Sequence, residues 1–273
     1  MRYNKIGYIL LFSIFVSCSP TLHTKKKNNE SVTGSAFYQK VIQSNWQQRD
    51  SIAYRLIENG NIPRFLRKLV PVKISFLDTA SQRRYRAKIY VTKDYLSIGT
   101  DKDRARVPLT PITAQKIADE FNCFLPTAKI VDEIYNAAKV KPEPVPMYAF
   151  RDSSVTMWQH HLIIEGQKNG RKGLIAGIKK DIIITNKLNN YPKNDRVAIY
   201  GWHLKDGRPK QPVYTGQVNW YVDYSHGVRL IYRKIKINGK WMDYRAVLKD
   251  SVLSQVISNE GVMTYFSYPG NYE

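Results

Sequence analysis

Histidine is scarce in this chain, five among 273 residues, yet two fall in one stretch, 196–231. The same stretch holds Trp202, His203, Trp220, Tyr221, Asp223, Tyr224, Ser225, His226 and Arg229. Imidazole is the side chain that changes charge near neutrality, so its neighbours determine what it can do. Three constellations follow. A thiol hydrolase would take Cys123 as nucleophile, His203 or His226 as base, and Asp223 to orient the ring. A zinc site would combine His160 or His161 with His203, His226 and Asp223. Against it, no His-Glu-x-x-His pair is present, and adjacent helical histidines point about 100° apart, so no resident metal or other cofactor is expected. A metal-free binding or acid/base cleft would use Lys179, Lys180, Asp181, Trp202, His203, Tyr221, Asp223, Tyr224, His226 and Arg229. Aromatic faces there would stack on sugar rings, and cations would meet carboxylates or phosphates. The structural alternative is a tight turn at 223–227, with Asp223 and Ser225 capping and Gly227 at positive φ. A Ser225 triad is not expected, since neighbouring side chains diverge and no Gly-x-Ser-x-Gly turn surrounds it.

The elements that must carry these groups are short. Residues 196–202 alternate as a strand with Val197 and Ile199 on one face, Gly207 and Pro209 mark a turn, and 218–223 and 228–237 read as further strands. His203 and His226 then fall at strand ends. Apolar spacing predicts a helix over 37–57, broken near Asp50, then strands at 72–76, 85–92 and 95–98, the first two joined by a turn at 79–82. Arg83, Arg84 and Arg86 at that turn form a basic face suited to a phosphate or carboxylate. Thr110-Pro111 and Thr127 start two helices, with Cys123 in the joint, where a helix dipole would lower its thiol pKa. Ser153 or Ser154 starts another, reaching about residue 166. Strands are expected at 174–175 and 181–185, a hairpin around Gly239, a short helix after Asp250 or Ser251, and an aromatic tail with a packing role. Proline at 142, 144 and 146 makes an extended hinge. The pattern is α+β, with helices flanking a mainly antiparallel sheet in a single domain over 36–273.

The chain begins with Arg2 and Lys5, then an apolar run at 6–16 too short for a secure membrane span, the layout of a secretory signal at 1–17. Phe15-Val16-Ser17-Cys18 resembles the lipobox of bacterial lipoproteins. That resemblance implies lipidation of Cys18, anchoring to a membrane by acyl chains, and, with Ser19 following the cysteine, the outer membrane. Residues 18–35 have little apolar content and read as a tether. Cys123 then has no intrachain disulfide partner. With 43 basic against 22 acidic residues the formal charge is +21, so an anionic envelope polymer or glycan is the expected partner, and nucleic acid is not.

Residues 196–203 resemble the histidine strand of NlpC-type, papain-like cell-wall hydrolases. Asn122 and Phe124 depart from the Asp-Cys-Ser run such enzymes carry around the nucleophile. The Tyr-Val-Asp-Tyr-Ser-His-Gly segment is similar to one in bacterial exported proteins, a likeness that implies no activity. The expectation is a cell-envelope lipoprotein: either a hydrolase of a cell-wall or glycan-linked bond, or a non-enzymatic binder of an anionic envelope polymer.

Overall fold

The computed structural model describes residues 19–25 and 31–269. The signal segment and Cys18 lie outside them. Helices α1 (Gly34–Lys40), α2 (Trp46–Glu58) and α3 (Arg64–Arg67) precede strands β1 (Val70–Asp78), β2 (Arg83–Val91), β3 (Ser97–Gly99) and β4 (Arg104–Arg106). Then come α4 (Pro111–Glu120), β5 (Cys123–Phe124), α5 (Ala128–Ala137), α6 (Ser154–Lys168) and β6 (Lys180–Ile182). The chain continues through β7 (Arg196–His203), β8 (Pro209–Val218), β9 (His226–Gly227), β10 (Ile231–Tyr232), β11 (Lys234–Ile237) and β12 (Lys240–Asp243). Helices α7 (Tyr244–Lys249) and α8 (Ser254–Ile257) follow. The fold is α+β with mainly antiparallel sheets. Among the described residues no helix is long and apolar enough to cross a membrane.

Side-chain caps set most helix starts. Thr110, Thr127 and Ser153 each accept a backbone N–H at the start of α4, α5 and α6. The predicted break near Asp50 lies instead at 41–45, because Asn45 and Gln48 form a reciprocal capping box that starts α2. Asp50 is inside α2, its carboxylate accepting Thr110 N at 3.2 Å and Thr110 Oγ1 at 2.6 Å. Two strand readings are corrected. Residues 174–175 make only an isolated bridge between Val140 and Ile175. The polar segment after Gly207 is β8, whereas 219–223 turns instead of extending. β8 is an edge strand wetted on both faces, which is why it lacks a hydrophobic alternation and tolerates Pro212.

The larger sheet has the order β12-β11-β2-β10-β5, with β1 on the other edge of β2. The smaller runs β8-β7-β6-β9, with β6 and β9 parallel. Helix α5 packs against β1 of the first and β7 of the second, and α8 also covers β1. This puts Val72, Ile74, Ala87 and Ile89 in the core and leaves Lys73, Ser75 and Arg86 on the open side of the large sheet. One hydrophobic core joins residues before and after 141–146, Ile130 and Val131 with Val197 and Ile199 among them. Part of the segment read as tether is seated on this body. Leu22 is buried, its N–H donates to Arg67 O at 2.7 Å, and Leu69 N donates to Pro20 O at 3.1 Å.

Candidate functional site

Parallel pairing of β6 with β9 sets Lys180 opposite His226, and Lys180 N donates to Ser225 O at 2.7 Å. The pairing gathers most of the expected cluster around Asp223. Its carboxylate accepts Ser225 N at 2.8 Å, Ser225 Oγ at 2.5 Å, Arg151 Nη2 at 2.8 Å and Tyr221 OH at 3.2 Å. Burial opposes its charge, but His226, Ser225 and Arg151 outweigh that and hold Asp223 down to about 2. His226 Nε2 is 3.9 Å from Asp223 Oδ1, beyond hydrogen-bond reach, and neither ring nitrogen has a partner. Burial pushes this imidazole down to about 4, so it is neutral at physiological pH. Lys179 is buried beside it, donates to Tyr224 O, and is pushed down to about 7, chiefly by burial and then by Arg106. Gly227 has no positive φ. It is required because a Cβ there would lie 2.6 Å from the Tyr95 ring and 2.8 Å from Lys179 Cβ.

The remaining expected residues take other partners. His203 Nε2 lies 2.8 Å from Asp132 Oδ1, a carboxylate that also accepts Tyr200 OH at 2.9 Å, and the Tyr135 ring stacks on the imidazole at 4.4 Å. Its partner is therefore Asp132 of α5, not Asp223. Asp181 is held up to about 6 by burial, with Tyr95 OH at 3.5 Å and Arg229 Nε at 4.0 Å. Arg229 spends its other nitrogens on Thr92 O at 2.9 Å and Ile175 O at 2.7 Å, tying two loops together. Trp202 sits at φ 56° after Gly201, with the Lys180 and Lys210 ammonium groups 4.9 and 5.1 Å from its ring.

Cys123 is not in an open joint. It is buried in β5, its thiol donates to Phe121 O at 3.4 Å, and burial raises its pKa where a helix dipole was expected to lower it. His161 packs on Trp158 and lies 3.2 Å from Arg106 Nη1, while His160 meets the edge of Tyr224. The two rings diverge as helical geometry dictates. No group of histidine, cysteine and carboxylate side chains among the described residues is placed to hold a metal ion.

The chain matches no protein-family profile, no curated protein and no solved structure.

A neutral imidazole next to an ionised carboxylate can accept a proton, but a substrate atom must come within about 3 Å of it. His226 and Asp223 have 1% and 0% of their surface exposed. The accessible chemistry lies on the open side of the large sheet. Antiparallel register places Lys73 opposite Lys88, Lys88 opposite Lys236, and Lys236 opposite Trp241. Strand spacing puts these ammonium stems roughly 5 Å apart at the backbone. The next rung carries Ser75 opposite Arg86, and Arg84 Nη1 donates to Ser75 Oγ at 3.3 Å on the same face. Trp241, 46% exposed, closes the row, stacked on Tyr90 at 5.7 Å with Lys236 Nζ 5.8 Å from its ring. A groove of about 440 Å³ runs along Lys73, Ser75, Arg86, Lys88, Lys236 and Gly239. Of these, sequence reasoning found Arg84 and Arg86 but missed Lys73, Lys88, Lys236 and Trp241. The signal was Arg84-x-Arg86-x-Lys88, whose period of two puts all three cations on one face of a strand.

Proposed function

We propose that this is an exported, lipid-anchored envelope protein, attached through Cys18 at the outer membrane, that binds an anionic envelope polymer on the open face of its six-stranded sheet without chemical turnover. The observation that carries this reading is the in-register row Lys73, Lys88 and Lys236. Like charges directly opposite one another destabilise a sheet, and none of these lysines has an ion-pair partner among the described residues. A repeating anion laid across the strands would supply the missing countercharge, with Trp241 offering an aromatic face to a sugar ring. Ser19, Pro20, Thr21 and His23 border Lys234 and Trp241, so an anchor at Cys18 would hold this face close to the membrane surface. The sealed environment of His226 and Asp223 favours binding over hydrolysis as the reading.

The test uses the soluble chain starting at Ser19, with lipopolysaccharide and purified cell-wall polymers as probes. Affinity is expected to fall with rising salt, and Lys88→Glu with Lys236→Glu to weaken binding roughly tenfold or more. Unchanged affinity in that double variant would sink the proposal. Mass-spectrometric detection of polymer fragments that vanish with His226→Ala would restore the hydrolase.

A further inference from the structure

A second basic site lies away from the lysine row and shares no residue with it. A cavity of about 410 Å³, within the range of small-molecule sites, is lined by Phe65, Lys93, Arg104, Lys168, Lys172 and Ile175, and also by Asp94 and Asp101. Its carboxylates are already engaged. Both Asp94 oxygens accept from Arg106, at 2.9 and 2.6 Å. Asp101 accepts Phe65 N at 3.2 Å and faces Arg64 Nε at 3.6 Å. Glu165, just behind, is shared by Arg104, Arg106 and Lys168. Lys93 and Lys172 have no ion-pair partner among the described residues. Arg104, whose side chain is only 10% exposed, leaves a buried Nε with no acceptor.

We infer that this cavity binds a small phosphomonoester that also carries a ring or other apolar group. Three uncompensated donors, from Lys93, Lys172 and Arg104 Nε, match a compact dianion with several acceptor oxygens. A planar carboxylate suits the two-pronged end of an arginine, and that end of Arg104 is already occupied by Asp101 O at 3.3 Å and Glu165 Oε2 at 2.8 Å. Phe65, whose ring lies 5.1 Å from the Arg104 guanidinium, and Ile175 provide the apolar wall.

Calorimetric titration of the chain from Ser19 with phenyl phosphate, inorganic phosphate and benzoate tests the inference. Phenyl phosphate is expected to bind most tightly and benzoate least. Lys93→Ala with Lys172→Ala should weaken phenyl phosphate roughly tenfold or more while leaving the unfolding midpoint in place, since neither lysine has a partner to lose. Phe65→Leu should remove the advantage of phenyl over inorganic phosphate. Lys88→Ala with Lys236→Ala should change nothing here, which keeps this site separate from the polymer face. Dihexanoyl phosphatidate binding more tightly than phenyl phosphate would assign a lipid-borne phosphomonoester, and the reverse a soluble one. Benzoate binding as tightly as the phosphates, equal affinity in the lysine variants, or no heat from either phosphate would overturn the inference.

Discussion

Burial holds the three histidines that lie near Lys179 in their neutral form. His226 is pushed down to about 4, and His160 and His161 to about 2, in each case first by loss of solvent and then, among other groups, by nearby lysine or arginine. An unfolded imidazole titrates near 6.5, so below that value the unfolded chain binds more protons than the folded one, and stability falls with pH. Asp223, held down to about 2, adds to the loss below about 3.8. Asp181, held up to about 6, acts in the opposite sense, since its contribution is present at low pH and lost as pH rises through that value. Burial also holds Asp50 and Glu133 up, and they act in the same sense as Asp181, so the histidine contribution is read by difference: the stability advantage of the parent chain over His226→Gln, taken from urea unfolding, is expected to shrink as pH falls from 6.5 toward 4. A difference that stays constant over this interval would mean the His226 ring is not buried neutral. Asp223 and His226 were legible as neighbours because they lie three positions apart in the chain. Asp132, the actual partner of His203, was not, because it comes from a helix 71 positions away.

The β11–β12 hairpin is the element that places Lys236 in the cationic row. Asn238 and Gly239 have φ of 46° and 88°, the paired positive values that a two-residue hairpin turn requires and that Asn-Gly supplies at least cost. Asn238 also accepts Arg86 N through its side chain and donates its own N–H to Arg86 O, both at 2.9 Å, which pins the hairpin to β2. Gly239→Val forces a β-branched residue to positive φ, at a cost of about 1–3 kcal/mol. The expected outcome is a lower urea midpoint together with weaker binding of the anionic polymer. Normal polymer affinity in a destabilised Gly239→Val chain would show that the row does not depend on this register. Elements of this kind were readable wherever local turn or cap chemistry sets them, as at Gly239, Thr110-Pro111 and Ser153. Edge strand β8 was not, since its pattern is polar on both faces and its pairing with β7 is set from the other side.

Across the whole molecule the first described segment is a structural part and not a free tether. Leu22 is 5% exposed and its backbone is tied to Arg67, beside the bridge from Thr21 to Lys68. Removing residues 19–30 should cost about 1.5–3 kcal/mol, the contribution of one buried leucine side chain, read as the difference in unfolding free energy between chains starting at Ser19 and at Ser31. Equal stabilities would show that the segment is not seated in solution. The sequence by itself determined the α+β class, the helix caps, the hairpin turn and the excess of positive charge, because these rest on interactions a few residues long or on composition. Tertiary structure alone decided which charges are sealed and which are offered to solvent. Parallel pairing of β6 with β9 set Lys180 against the buried His226, while antiparallel pairing of β1, β2 and β11 aligned Lys73, Lys88 and Lys236 on the open face, Lys73 exposed and the other two half-buried. Both outcomes depend on registers between segments far apart in the chain, and a one-residue slip of β1 on β2 would exchange the buried face of the large sheet for the open one.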